Sequence, residues 1–212
     1  MIDLSFGSIG QTWIHLVGQT VQNGKPLNDE GLELTEVNVS FPAHAKHDEL
    51  IRQFGDARMV AEMEKVFFAD QANSLGHSYL KLMRGPGGRN DFQDVISLLK
   101  TERDSKRAVV TFCGEGNGKV PCINVVQFLI RDGVIRTIYF ARGQDAYKKF
   151  YADALCIASM ARKVAEGLDL SAESVSGFLG SSHIYHKDRP AIDDFLERGN
   201  KLAMNGQLQG VC

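Results

Sequence analysis

Cys122 stands between Pro121 and Ile123, at the head of a nearly continuous apolar run over 123–130. A thiol attacks as the thiolate, and nearby cations favour that form. Arg142, Lys106 and Arg107 are the cations the chain offers. The same position also suits a small core hydrophobe, because free cysteine packs readily in apolar interiors. His183-Ile184-Tyr185 sets two hydrogen-bonding side chains on one face of a strand, since side chains alternate with period two. The plain alternative is a half-buried histidine on an edge strand. Arg142 and Asp145 are spaced for an ion pair at a helix end. Asp153 lies among Tyr151, Ala152, Ala154 and Leu155, in a stretch that should pack. Its carboxylate therefore faces either solvent or a functional site. Gly114-Glu115-Gly116-Asn117-Gly118-Lys119 has the glycines of a phosphate loop. Val120 follows where such a loop needs Ser or Thr, and no helix comes next, so the segment reads as a plain loop.

The elements that must carry these residues follow from periodicity. Ile9, Trp13, Leu16, Val17 and Val21 predict a helix over 8–23, ended by Asn23-Gly24-Lys25-Pro26. Alternation over 32–41 predicts a strand with a bulge. Helical spacing returns over 59–68. Gly85-Pro86-Gly87-Gly88 reads as a loop, and Asp91 as the cap of a helix bearing Phe92, Val95, Ile96 and Leu99. Strands are expected over 108–112 and 123–130. Asp132-Gly133 predicts a hairpin to a partner over 134–140. A long helix with Tyr147, Phe150, Ala154, Ala158, Ala161 and Ala165 should then start near Arg142 and stop at Gly167, with a last strand over 176–185. Interspersed helices and strands with an antiparallel hairpin predict an α+β fold.

The 212 residues carry a net charge of −2, with 43% hydrophobic and 24% charged residues. That profile fits a globular domain and gives no reason to expect nucleic acid as the main partner. No run of 18 apolar residues and no basic-then-apolar leader is present, which predicts a cytoplasmic chain that neither enters nor crosses a membrane. The four cysteines, at 113, 122, 156 and 212, form no C-x-x-C pair and no zinc spacing, so reduced thiols and no metal are expected.

Taken together and in order, several of these segments resemble the thymidylate synthase family. Pro121-Cys122, Gln127-Phe128, Arg142-Gly143-Gln144-Asp145 and His183-Ile184-Tyr185 are similar to its Pro-Cys, Gln-Phe, Arg-Ser-x-Asp and His-x-Tyr motifs. Arg142 lies 20 positions after Cys122, and His183 lies 41 after Arg142, as in that family. Upstream, the segment from Leu75 through Tyr79 to Arg84 and the Lys106-Arg107-Ala108-Val109 segment have counterparts too. The resemblance spans roughly 59–190. It implies a mixed sheet packed with helices in a single domain over 1–212, and a homodimer.

The resemblance also implies a mechanism. Cys122 would add to C6 of a pyrimidine nucleotide and make C5 nucleophilic toward 5,10-methylenetetrahydrofolate. Arg142 would bind phosphate and activate Cys122. Lys106 and Arg107 would reach the phosphate from the other subunit. Asp145 would contact the base, and His183 and Tyr185 the sugar hydroxyl. Tyr79 is a further catalytic candidate. Glu62 is the carboxylate chosen to organise water and proton transfer, with Glu49 and Glu64 as alternatives.

The departures set the expected substrate. The family's base-reading Asn falls 11 positions after its Arg, and here that residue is Asp153. Asn donates and accepts, matching O4 and N3–H of uracil; an ionised Asp only accepts, matching the amino group of cytosine. Within the family that exchange marks cytidylate hydroxymethylases. CMP or dCMP, with water rather than hydride completing the reaction, is therefore expected. A divergent short thymidylate synthase acting on dUMP is the second reading. A catalytically weak nucleotide- or RNA-binding relative is the third. Gly143 replaces the family's Ser, Lys106 its first Arg, and Asn28-Asp29-Glu30-Gly31 stands near its Arg-Thr-Gly loop, so the phosphate set is thinned.

Overall fold

Ser8 fixes the start of the first helix. Its backbone is extended, and its hydroxyl accepts the Gln11 N–H at 3.1 Å, capping α1 (Ile9–Asn23). Ile9, Trp13, Leu16 and Val17 recur at helical spacing and are all buried. Gly24 ends the helix as predicted, its N–H returning to the Thr20 carbonyl. This computed structural model describes residues 1–44, 48–73, 76, 78–84, 91–112 and 120–204. The predicted loops at 85–88 and 114–119, and Cys113 and Cys212, lie outside the described residues.

One mixed sheet organises the chain. Its strands are β1 (Ile2–Ser5), β2 (Lys25–Leu27), β3 (Gly31–Pro42), β4 (Val109–Thr111), β5 (Ile123–Arg131), β6 (Val134–Ala141), β7 (Gln144–Asp145) and β8 (Ser171–Tyr185). The order is β1-β3-β8-β6-β5-β4, with β2 added to β3 and β7 to β8. The hairpin from β5 to β6 turns at Asp132 and Gly133 with φ of 53° and 79°. Two positive φ values in a two-residue loop are what a type I′ turn needs. The bulge expected in β3 is instead a kink with no inserted residue. Thr35 and Val37 face Ser181 and Leu179 one to one, and Glu36 between them takes φ 57°. Leu34 is buried before the kink, and Val37, Val39 and Phe41 after it. β8 starts five residues before the expected 176, because Ser171 to Val175 pair with the first half of β6.

Between these strands lie α2 (Glu49–Phe54), α3 (Ala57–Phe68), α4 (Tyr79–Arg84), α5 (Asp91–Thr101), α6 (Phe150–Glu166) and, after a 3-10 turn at His186–Asp188, α7 (Arg189–Met204). Two expectations need correction. Asp91 belongs to the first turn of α5 together with Asp94, where carboxylates meet the positive end of the helix. The long helix begins at Phe150, so Arg142 and Asp145 precede it, and Asp145 is a strand residue.

α1 and α6 pack on one face of the sheet. Trp13 is 1% exposed; its indole N–H donates to the Tyr147 carbonyl at 3.1 Å, and its ring meets Tyr151 and Phe195 at 4.3 Å. Burying a ring of that size stabilises the fold by about 2–3 kcal/mol. Tyr139 crosses β8 over Gly177, where a Cβ would strike the ring. Among the described residues, no helix covers Ile138 and Phe140 on the other sheet face. Ile138 and Phe140 are exposed there, and Phe140 stacks on Phe178 at 6.0 Å.

Candidate active site

Topology gathers the chemistry at one end of the sheet. β6 and β8 run parallel and are joined through α6, so their carboxyl ends coincide. β5 is antiparallel to β6 and starts at that end, with Ile123 opposite Ala141. Cys122 immediately precedes β5, and Arg142 immediately follows β6. β7 then pairs Gln144 with Ser182 and Asp145 with His183. Asp153 lies in the first turn of α6. Crevices at strand carboxyl ends are where sheets of this kind place ligands.

Cys122 is half-buried, and its carbonyl accepts the Arg142 N–H at 2.9 Å. The Arg142 side chain clamps the preceding turn. Its Nη2 donates to the Val120 carbonyl at 2.6 Å, and its Nε to Pro121 at 3.1 Å and Val120 at 3.2 Å. The ion pair expected between Arg142 and Asp145 is therefore replaced by a guanidinium–carbonyl clamp. Asn124 joins in, donating from Nδ2 to the Pro121 carbonyl at 3.0 Å and accepting the Arg142 N–H at 3.2 Å. Tyr79 is buried between Phe67 and Phe112, with ring distances of 4.4 and 4.9 Å. Its hydroxyl oxygen accepts the Ile123 N–H at 3.1 Å, directly beside Cys122.

Asp153 is 5% exposed, so the solvent-facing alternative is excluded. Oδ2 accepts from Gln144 Nε2 at 2.9 Å, while Oδ1 is buried with no hydrogen-bond partner among the described residues. Gln144 is itself 2% exposed. The Asp153 N–H donates to the Lys149 carbonyl at 3.0 Å, which puts Lys149 one helical turn away. The Lys149 side chain is half-buried and makes no ion pair among the described residues. Asp145 Oδ1 accepts the Lys148 N–H at 2.9 Å.

Burial sets the charge states. It pushes the Asp153 carboxyl up to about 6, against the Gln144 hydrogen bond and the Lys149 charge, with Asp145 adding to the rise. The Cys122 thiol is pushed above its ordinary value by burial and then by Asp153, while Arg142 and Lys149 pull it down. Burial also raises Asp145 and Tyr79 and lowers His183. His183 is thus neutral at pH 7 and able both to donate and to accept.

His183 and Tyr185 share a face of β8, edge to face at 5.4 Å. The edge-strand alternative is excluded: His183 pairs with Glu33 of β3 on one side and Asp145 of β7 on the other. Glu33 Oε1 accepts from Ser181 Oγ at 2.6 Å.

The remaining candidates stand apart. Lys106 and Arg107 precede β4, whose Val109 pairs with Gln127. That is five residues along β5 from Cys122, roughly 17 Å at the strand rise. Arg107 is held by Glu102 at 2.6 Å, and the Lys106 carbonyl accepts from Gln127 Nε2 at 2.8 Å. Glu62 is half-buried on α3, which packs on α6, and it makes no hydrogen bond or ion pair among the described residues. Glu49 is engaged by Arg52 and Gln53, and Glu64 is exposed on α3. The motifs did not single out Gln144, Lys149 or Glu33. The spacing of four between Lys149 and Asp153 was the available signal for Lys149. Glu33 becomes visible only through strand register. Among the described residues no group of three or more His, Cys, Asp or Glu is arranged to hold a metal, and no helix is long and apolar enough to cross a membrane.

The family model for thymidylate synthase matches residues 22–209. A protein of Methanothermobacter marburgensis named "Putative thymidylate synthase" is 23% identical, over 93% of this chain and 99% of its own length. One of the same name from Methanothermobacter thermautotrophicus is 22% identical, over 92% and 98%. The thymidylate synthase of Mycoplasma pneumoniae is 25% identical over 63% of this chain and 48% of its own.

Proposed function

The chain belongs to the thymidylate synthase family and is a one-carbon transferase acting on a pyrimidine nucleotide, and from that premise we propose that it hydroxymethylates C5 of a cytosine nucleotide, CMP or dCMP. The observation that carries this reading is the unpartnered Oδ1 of buried Asp153. A buried acceptor with no donor costs about 1–3 kcal/mol, so a ligand that supplies the donor is favoured. The exocyclic amino group of cytosine is such a donor; O4 of uracil, an acceptor, leaves two acceptors facing each other.

The chemistry runs as follows. The Cys122 thiolate bonds to C6, and the C5–C6 double bond becomes nucleophilic at C5. 5,10-Methylenetetrahydrofolate, as second substrate, supplies the one-carbon unit. C5 would bond to that carbon as one of its two bonds to folate nitrogen breaks, and loss of the C5 proton would then break the other, releasing tetrahydrofolate and leaving an exocyclic methylene on the base. Water adds to that methylene, and Cys122 is expelled from C6. Arg142 and Lys149 favour the thiolate, while its clamp on Val120 and Pro121 holds the sulfur in register. Tyr79 braces the same turn through Ile123, and Glu62 orders water. Asp145 supports the base, and His183 and Tyr185 hold a sugar hydroxyl.

The subunits act as a homodimer through the open sheet face. Ile138 and Phe140 are exposed there, and half-buried Phe178 stacks on Phe140. Gln127, beside which Lys106 and Arg107 sit, points to that same face. A two-fold pairing would offer these cations to the neighbouring site, where Gly143 leaves open space. Product masses after incubation with 5,10-methylenetetrahydrofolate and each of CMP, dCMP, UMP and dUMP test the reading. A hydroxymethylated cytosine nucleotide is expected. A methylated dUMP with inert cytosine nucleotides overturns it.

A further inference from the structure

We propose that Glu33 selects the sugar, its carboxylate accepting the 2′-hydroxyl of a ribonucleotide beside the hydroxyl held by His183 and Tyr185. The inference rests on the nucleotide reading of this site and narrows it to ribonucleotides.

Register carries the argument. Glu33 and His183 are direct partners across β3 and β8. Directly opposed side chains start about 4.5–5.5 Å apart at Cβ and share a face. Tyr185 and Ser181 lie two residues either side of His183, on that same face. Ser181 Oγ donates to Glu33 Oε1 at 2.6 Å, which fixes the carboxylate in one orientation. Oε2 has no partner among the described residues. The free oxygen thus belongs to the residue directly opposite His183, the member of the sugar-binding pair nearer to it, and vicinal hydroxyls are neighbours. A carboxylate only accepts, and a hydroxyl donating to it forms a charge-assisted bond. A 2′-methylene donates nothing and leaves that oxygen unmatched. Asp145, across His183 from Glu33, is engaged by the Lys148 N–H and does not duplicate the role.

The experiment compares kcat/KM for CMP, dCMP, UMP and dUMP in the wild type, Glu33→Ala and Glu33→Gln. With whichever base is turned over, the wild type should favour ribose about 10–100-fold. Glu33→Ala should bring the ribo-to-deoxy ratio within about threefold, mainly by raising KM for the ribonucleotide. Glu33→Gln keeps an acceptor oxygen and should fall between the two. Should Glu33→Ala fail to fold, an intermediate ratio in Glu33→Gln supports the proposal and an unchanged one overturns it. A wild-type preference for deoxyribose, or variants that lose both sugars equally, also overturns it. Base and sugar are read separately. Turnover of uracil nucleotides alone sinks the cytosine reading and still decides the sugar, whereas a chain that binds none of the four sinks both.

Discussion

Gln144 Nε2 donates to Oδ2 of Asp153 at 2.9 Å and leaves Oδ1 of the same carboxylate buried without a partner. One oxygen is committed to the protein, and the other is left without a donor among the described residues. The Gln144 bond fixes the carboxylate plane, so a base held there, as proposed, would meet an acceptor already ordered.

That carboxylate destabilises the folded chain at neutral pH. Its pKa lies near 6 in the folded chain, above the ordinary carboxylate value near 4. The folded state therefore binds the proton first. Stability gained from protonation appears as pH falls from above 6 toward 4, and the cost of the bare carboxylate is complete above 6. Asp153→Asn keeps the oxygen that accepts from Gln144 and removes the charge. It should melt higher than the wild type at pH 7–8, by roughly 6–10 °C for about 3 kcal/mol, with the difference vanishing below pH 4. Thermal melts of the two proteins across pH check this, and a difference independent of pH contradicts it.

Cys122 should respond in opposite directions to its two kinds of neighbour. Asp153 raises the thiol pKa, and Arg142 and Lys149 lower it. Alkylation of the Cys122 peptide by iodoacetamide, followed by mass spectrometry across pH, reads the thiolate fraction. Lys149→Met should slow it about threefold to tenfold at pH 7 with its pH midpoint raised, while Asp153→Asn should speed it with the midpoint lowered. Equal effects of the same sign would mean that packing rather than charge governs the sulfur.

Much of this site was legible because strand order converts sequence spacing into proximity. The Asp132-Gly133 turn makes β5 and β6 antiparallel neighbours, and this alone brings Cys122 to Arg142. The partners of those residues were not legible. Arg142 spends its hydrogen bonds on Val120 and Pro121 carbonyls rather than on Asp145. Backbone acceptors have no sequence signature. The facing of Glu33 was hidden too, because the buried side passes from Leu34 to Val37 across Glu36, where an ordinary residue takes φ 57°, and strict alternation breaks there. The strand that flanks His183 on its second side, β7, is two residues long, too short to leave a pattern.

Assembly offers an independent check. Phe140→Asp puts a charge on the open apolar face, and sedimentation should show a wild-type dimer converted largely to monomer. If Arg107 serves the neighbouring protomer, inactive Cys122→Ala and inactive Arg107→Ala should complement on mixing, restoring roughly a quarter of wild-type activity through mixed two-fold dimers. A monomeric wild type, or no recovery between variants that demonstrably exchange subunits, contradicts the shared site.

The proposed reading of the base by Asp153 is tested most directly by tritium release from C5-labelled CMP, dCMP, UMP and dUMP in the presence of 5,10-methylenetetrahydrofolate, comparing the wild type with Asp153→Asn. The wild type should release label from cytosine nucleotides, and the Asn variant should shift the preference toward uracil, with Cys122→Ala silent on all four. Wild-type release confined to uracil nucleotides, or a base preference that the Asn substitution leaves unmoved, would contradict the account.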